Sequence, residues 1–157
     1  MNMEKVTNIT AAGLGGQGVL KITDIMAEIL FDAGYDVKKS EVHGMSQRGG
    51  SVSSEVRFGR QVFSPMVPDG ESDYLVVLDE TQVEVNRWKL REGGVLISPA
   101  DAPMDKLANK KAVNILLLGV LSRHFDFPEE KWLEHIHRHL PAKLHADNDA
   151  AFRLGRG

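Results

Sequence analysis

Residues 6–42, VTNITAAGLGGQGVLKITDIMAEILFDAGYDVKKSEV, contain the pattern that decides the fold. A short β-prone segment, residues 6–12, runs into a glycine-rich turn, and apolar residues then recur at helical spacing from Val19 to Ala33. Gly34 stands where a helix commonly ends, and residues 36–42 are predicted to form a second strand. Strand, glycine turn, amphipathic helix and strand in this order predict a βαβ unit and therefore an α/β fold.

Three further segments have the composition of strands. Residues 51–58 alternate between apolar and polar side chains, which predicts a half-exposed strand, antiparallel and near an edge of the sheet. Residues 74–78, YLVVL, predict a buried strand, and residues 95–97 predict a short one after a Gly93-Gly94 turn.

The second half of the chain is mainly helical in pattern. Either Asp79 with Gln82 or Thr81 with Glu84 is predicted to cap the start of a helix that runs to about residue 90. Residues 114–124 are apolar on nearly all sides, which predicts a buried helix. Pro128 is expected to open a further helix, Pro141 to stop it, and a last short helix to follow.

Length, charge and cysteine content exclude several classes of protein. The 157 residues suit a single domain, residues 1–157, and the net charge of -3 lacks the basic character of a nucleic-acid binder. The chain has no cysteine, so it cannot by itself hold a disulfide, a thiolate nucleophile or a Cys-ligated iron–sulfur cluster. No apolar run approaches the ~20 residues of a membrane span. The N-terminus shows no apolar signal region either, so we expect a cytoplasmic protein.

The glycine loop is the first candidate site. Gly13, Gly15 and Gly18 have the spacing of the dinucleotide fingerprint between a strand and a helix, and Glu41 could accept a hydrogen bond from a ribose hydroxyl. A phosphate-binding P-loop is excluded, because residues 19–20 are Val and Leu rather than Lys and Ser or Thr. The alternative is a tight turn without a ligand, in which Gly15 is expected to need a positive φ.

The loop of residues 43–50, HGMSQRGG, is the second candidate site. It follows the carboxyl end of a predicted strand, where open α/β sheets bind their ligands. Arg48 could pair with a carboxylate or a phosphate, and Gly49 and Gly50 would let the backbone approach another surface. A solvated turn is the simpler alternative.

Histidines and tryptophans are expected to be structural. His135 and His139 share a helix face, but no third metal ligand follows at a useful spacing, so a solvated face is favoured over a metal site. Trp88 and Trp132 are predicted to anchor the core.

Two motifs together give a specific family resemblance. AAGLGGQGV (residues 11–19) combined with SEVHGMSQRGGSVSSEVRFG (residues 40–59) closely resembles the gamma-type subunit of 2-oxoacid:ferredoxin oxidoreductases. The EVHGMSQRGG segment is most similar to the beta subunit of the indolepyruvate branch. The resemblance continues through SDYLVVLDE (residues 72–80), NILLLGVLS (residues 114–122) and LPAKLHADNDAAFRLG (residues 140–155), and so covers nearly the whole chain. One departure is the connection of residues 98–113, which is shorter than is usual in the family.

The resemblance implies a three-layer α/β/α Rossmann-like sandwich with a mostly parallel sheet. It also implies a heteromeric complex, in which a 2-oxoacid is decarboxylated on thiamine diphosphate, coenzyme A takes the acyl group and iron–sulfur clusters pass electrons to ferredoxin. Thiamine diphosphate and the clusters are expected on partner subunits, so this chain should bind no cofactor alone and be inactive alone. The two alternatives are a free-standing dinucleotide-binding oxidoreductase of the Rossmann type and a nucleotide-binding scaffold module.

The carboxyl ends of parallel strands meet at one edge of a sheet, so both candidate loops should line one surface. We expect this surface to face the thiamine-bearing subunit near its active site. The residues expected there are Gly13, Gly15, Gly16, Gln17, Gly18, Glu41, His43, Gly44, Gln47, Arg48, Gly49 and Gly50.

Overall fold

The fold is built on one five-stranded sheet in the order β2-β3-β1-β4-β5. The computed structural model describes residues 5–43 and 50–157. The strands are β1 (Thr7–Leu14), β2 (Asp36–His43), β3 (Ser51–Gly59), β4 (Ser72–Val77) and β5 (Leu90–Ile97).

Strand direction agrees with the expected mostly parallel sheet. β4 runs parallel to β1 and β5 parallel to β4, whereas β3 is antiparallel to both β1 and β2. Four of the five strands therefore run the same way, and β3, which is antiparallel as predicted, is the exception. β3 also separates the first two strands, so β1 and β2 are parallel in direction without being neighbours.

Helices cover the two faces of the sheet unequally. The α-helices are α1 (Val19–Asp32), α2 (Val83–Asn86), α3 (Val113–Ser122), α4 (Glu129–Arg138) and α5 (His145–Arg156). The main core lies between one face and α1, α3, α4 and α5. On the opposite face the described residues form a smaller cluster, in which Val83 of α2 packs on Leu75 and Val77 of β4. The second helical layer is thus reduced to short turns.

Two predicted elements differ from the structure. The helix expected after Asp79 is broken into the 3-10 turn Glu80–Gln82, the single turn α2 and the 3-10 turn Arg87–Lys89. Gly93 and Gly94 lie inside β5 rather than before it, because the strand starts at Leu90 and shifts register against β4. The connection of residues 98–113 holds three 3-10 turns and no strand, so β5 is the last strand of the sheet.

Helix α3 is buried on all sides, as its sequence predicts, and it packs closely on α5. A Cβ added to Gly119 would lie 2.3 Å from the Phe152 carbonyl oxygen, and one added to Gly155 would lie 2.0 Å from that of Leu116. Both separations are far below van der Waals contact, so the two helices can pack at this distance only because glycine stands on each side of the crossing.

Candidate functional site

The glycine loop joins β1 to α1 and is tied to the start of β3. The Gly15 N–H donates to the Gly50 carbonyl oxygen at 2.9 Å, and the Gln17 N–H donates to that of Leu14 at 3.2 Å. In the sheet, Val52 pairs with Gly13 on one side and with His43 on the other. The structure therefore brings the glycine loop, the end of β2 and the start of β3 to one edge of the sheet.

The left-handed positions of this loop are Gly16 and Gly18, with φ values of 91° and 84°. The expectation that Gly15 needs a positive φ is therefore wrong. Gly18 is the N-cap of α1, and a Cβ there would lie 2.4 Å from Nδ2 of Asn114, a side chain at the start of α3. Gly18 is thus constrained both by its backbone conformation and by its neighbour.

Gln17 connects the loop to the carboxyl end of β4. Its Oε1 accepts a hydrogen bond from the Leu14 N–H at 2.7 Å, and its Nε2 donates to Oδ2 of Asp79 at 2.9 Å. Asp79 also caps the following turn, accepting from the Thr81 hydroxyl at 2.6 Å and from the Thr81 N–H at 3.0 Å. These hydrogen bonds, first that of the Thr81 hydroxyl, lower the pKa of Asp79. Of the two predicted caps, Asp79 is therefore the N-cap that forms, and it is also a partner of the glycine loop that the sequence did not reveal.

Glu41 lies on the edge strand β2, and Lys39 donates a hydrogen bond to its carboxylate at 3.3 Å. In a dinucleotide-binding fold the acidic residue ends the strand next to β1. Here β3 occupies that place, and Glu41 pairs with Ser54 on it. Two strand spacings, about 10 Å, separate β2 from β1, which disfavours the proposed ribose contact.

The remaining residues of the second candidate loop are only partly described. His43 is the last residue of β2, and Gly50 accepts the hydrogen bond from Gly15. Gly44, Gln47, Arg48 and Gly49 lie outside the described residues.

A basic cleft of about 520 Å³ opens beside the glycine loop. It is lined by Gly16 and Gln17 on one side and by Lys110, Lys111 and Val113 on the other. The ammonium groups and the start of α1 both favour an anionic group in this cleft. Sequence reasoning missed the two lysines, because they stand more than 90 positions from the glycines and only the packing of α3 on α1 brings them near.

His135 of α4 and His139, the residue that follows α4, both contact α1. His135 is fully buried, and its ring nitrogens bond to Oδ2 of Asp32 and to the Lys131 carbonyl oxygen, both at 2.7 Å. The expectation of a solvated face is therefore wrong for His135. The hydrogen bond with His135 is also the main cause of the lowered pKa of Asp32. His139 similarly contacts Glu28 of α1. Across residues 5–43 and 50–157, no group of three or more His, Cys, Asp or Glu side chains could hold a metal ion.

The two tryptophans have different environments. Trp132 is fully buried against Phe127 and Phe152, as predicted for a core anchor. Trp88 is 56% exposed, so the same prediction is wrong for it: it lies in a 3-10 turn on the face of the sheet where, among residues 5–43 and 50–157, short turns replace a helical layer. As for membranes, none of the helices in the described parts of the chain has the length and apolar character to cross a bilayer.

Comparison with known proteins identifies the family. Residues 8–157 match the model of the pyruvate ferredoxin/flavodoxin oxidoreductase family. The chain is 35% identical to indolepyruvate oxidoreductase subunit IorB of Thermococcus kodakarensis, over 96% of this chain and 95% of that protein. It is 34% identical to the IorB subunit of Pyrococcus horikoshii, with the same coverage of both chains.

A solved structure agrees with these sequence relatives. The gamma subunit of the keto/oxoacid ferredoxin oxidoreductase of Geobacter sulfurreducens superposes with a TM-score of 0.75 at 25% identity, covering 95% of both chains. The alignment with the Thermococcus kodakarensis subunit spans 193 positions, more than the 157 residues of this chain, so that subunit contains residues that this chain lacks. These findings confirm the resemblance drawn from the two glycine motifs. The chain belongs to the pyruvate ferredoxin/flavodoxin oxidoreductase family, as the type of subunit found in 2-oxoacid:ferredoxin oxidoreductases.

Proposed function

We propose that this chain works inside a 2-oxoacid:ferredoxin oxidoreductase of the indolepyruvate type. Thiamine diphosphate and iron–sulfur clusters are carried by its partner subunits, and ferredoxin accepts the electrons. The relatives at 34–35% identity, which are indolepyruvate oxidoreductase subunits, support this substrate class. The chain has no cysteine, so its donor set does not fit a cysteine-ligated cluster.

In this proposal the chain supplies a docking surface and performs no chemical step. The surface is the edge of the sheet formed by the glycine loop, the end of β2 and the start of β3. The observation that carries it is the hydrogen bond from Gly15 to Gly50, which joins the two motifs on which the family resemblance rests. Residues 44–49 link strand ends that both lie at this edge, and we assign to Arg48 the role of a charged anchor for the thiamine-bearing subunit.

Reconstitution with the partner subunits tests this role. We expect Arg48→Ala to weaken assembly or lower 2-oxoacid turnover at least about tenfold, because a paired guanidinium would be lost. The matched control is Arg138→Ala on the outer surface of α4, where the guanidinium is half exposed and pairs with Glu134. If Arg138→Ala disrupts the complex and Arg48→Ala does not, the partner subunit docks on the side of α4 and the proposed surface at the edge of the sheet is wrong.

The isolated chain provides the second test. Because thiamine diphosphate and the clusters are expected on partner subunits, the isolated chain should oxidise no 2-oxoacid, whatever acceptor is supplied. Calorimetry with NAD, NADP and FAD should also show no binding at micromolar concentrations, since Glu41 lies two strands from the glycine loop. A micromolar isotherm for any of the three would instead support the dinucleotide-binding alternative.

A further inference from the structure

Two histidine–carboxylate pairs join α4 to α1. Glu28 and Asp32 lie four positions apart on α1, and His135 and His139 lie four positions apart at the C-terminal end of α4. Nε2 of His135 lies 2.7 Å from Oδ2 of Asp32, and the ring of His139 contacts the carboxylate of Glu28. Because residues four apart share a helix face, the two pairs are successive contacts between the same two faces.

The surroundings of His135 determine which of its ring nitrogens carry hydrogen. The Lys131 carbonyl oxygen lies 2.7 Å from Nδ1 and can only accept, so Nδ1 is a donor. The Asp32 side chain is 41% exposed, and its hydrogen bond with His135 lowers its pKa, so at neutral pH it is an ionised acceptor. Both ring nitrogens therefore donate, which only the protonated imidazolium can do.

A neutral His135 ring could not keep both contacts. If either nitrogen lost its hydrogen, its lone pair would face an oxygen lone pair at 2.7 Å. The side chain is fully buried, so solvent does not reach the ring to supply a new partner. Loss of a proton would therefore displace the ring from its packed position and remove the positive charge opposite Asp32.

Other charged groups of α4 surround the pair of His135 and Asp32. Oε2 of Glu134 lies 4.0 Å from Nδ1 of His135, and Nη1 of Arg138 lies 3.7 Å from Oδ2 of Asp32. Glu134 itself has two cationic partners, Lys131 at 3.7 Å and Arg138 at 3.4 Å. The positive charge that faces Asp32 at hydrogen-bond distance is therefore that of His135.

The end of α4 lies against the basic cleft. The Lys21 ammonium of α1 donates to the His139 carbonyl oxygen at 3.2 Å. Leu140, the next residue, lines a hollow of about 240 Å³ together with Lys21, Gly16 and Gln17. Gly16 and Gln17 also line the basic cleft. A change in how α4 packs on α1 would therefore reach the wall of this cleft.

A third histidine of α4 provides an internal comparison, because it faces α5 instead of α1. Nε2 of His137 lies 2.7 Å from Oδ1 of Asp149, and the His137 ring stacks on that of His145 with 4.0 Å between the ring centres. The His137 side chain is 35% exposed, so water can replace a lost partner there, as it cannot at His135.

We propose that the pairs of His135 with Asp32 and His139 with Glu28 form a pH-sensitive latch that holds α4 on α1, with His135 as a buried imidazolium at neutral pH. The latch is closed while His135 carries both ring protons and Asp32 is ionised. It loosens when the pH rises far enough to remove one of these protons. It also weakens in acid, because the negative charge of Asp32 is lost as the pH falls through its lowered pKa. This device is independent of the docking surface proposed above.

Nitrogen NMR of the ¹⁵N-labelled full chain measures the protonation of His135. At pH 7 both ring nitrogens should carry hydrogen. Asp32→Asn removes the negative charge and lets the new amide donate to Nε2, so it should leave hydrogen on Nδ1 alone. The matched control is Asp149→Asn, the same change opposite His137, which should leave His135 unaltered.

Amide hydrogen exchange measures the latch itself, as protection relative to an unstructured peptide at the same pH. In the wild-type chain the protection of α4 should fall at least about tenfold across the pH range in which His135 loses its proton, whereas that of α3 should change less than about twofold. In Asp32→Asn this fall should be absent, because the His135 ring is already neutral.

A bare ring nitrogen on His135 in the wild-type chain at pH 7 would overturn the proposal, since the imidazolium would not exist. Equal protection of α4 on both sides of the titration would show that the charge is present but does not hold the helix. If Asp149→Asn neutralises His135 as Asp32→Asn does, the charge does not depend on Asp32 and the proposed pairing is wrong.

Discussion

Glycine serves two different purposes in two regions of this molecule. In the loop between β1 and α1, Gly16 and Gly18 adopt left-handed backbone conformations, and nothing lies within 4 Å of a Cβ added to Gly16. At the crossing of α3 and α5, Gly119 and Gly155 have no positive φ, but an added Cβ would meet backbone atoms at 2.3 and 2.0 Å. The loop glycines allow a turn that opens to a cleft, whereas the crossing glycines allow two helices to touch. The surroundings of Gly16 leave room for another molecule, whereas those of Gly119 and Gly155 leave none.

The largest effect is expected at the helix crossing. Gly119→Ala should lower the free energy of unfolding by about 3 kcal/mol, because the new Cβ would force α3 away from the backbone of α5. Alanine is otherwise the better helix former by about 1 kcal/mol, so any loss must come from the crossing. Urea denaturation measures the change. Gly155→Ala should cost less, since it lies in the last turn of α5, which can fray. A Gly119→Ala variant as stable as wild type would mean that the two helices do not approach so closely.

A smaller effect is expected in the loop, where Gly18 and Gly16 can be compared directly. Gly18→Ala should lower the free energy of unfolding by about 1–3 kcal/mol, because it strains the left-handed backbone and places a Cβ 2.4 Å from Asn114. Gly16→Ala should lower the free energy of unfolding by about 1–2 kcal/mol. This loss comes from backbone strain alone, because the surroundings of Gly16 are open. Chemical denaturation gives both values.

A double-mutant cycle separates the two causes. In an Asn114→Ala background, the cost of Gly18→Ala should fall to that of Gly16→Ala, because the side chain that it would meet is gone. An unchanged cost in that background would show that backbone conformation alone constrains Gly18.

The smallest effect concerns the hydrogen bonds that hold the loop to β4. The folded-state pKa of Asp79 is lowered, so the ionised carboxylate stabilises the fold above its unfolded pKa of 3.8. This contribution is lost as the pH falls through the lowered folded-state pKa. Asp79→Asn should therefore reduce stability by less than about 1 kcal/mol near pH 7, and the difference from wild type should disappear in strong acid. Thermal unfolding across this pH range measures it.

The Thr81→Val variant is the control for Asp79, since it removes the hydroxyl donor and keeps the carboxylate. Thr81→Val should also reduce stability near pH 7, but by less than Asp79→Asn does. A difference between Asp79→Asn and wild type that persists at the lowest pH would contradict the role assigned to the ionised carboxylate.

Much of the fold could be predicted because its signals are local. The helical spacing of residues 19–33 and the apolar run of residues 114–122 specify α1 and α3 without reference to the rest of the chain. The prediction of one long helix after Asp79 was wrong although its cap is real, because the segment beyond the cap is broken into two 3-10 turns and one helical turn. The exposed Trp88 was missed because ring size favours burial only where a second layer provides cover.

The sequence by itself determined the α/β class, the antiparallel β3 and the family, since these follow from periodicity and from two motifs that lie close together along the chain. Only the tertiary structure decided that β3 separates β1 from β2, that Gln17 meets Asp79, and that Lys110 and Lys111 line the cleft of the glycine loop. It also decided that Gly119 and Gly155 meet at a helix crossing. Periodicity reports which face of an element is buried, but the choice of neighbour depends on packing between residues that are 36 to more than 90 positions apart.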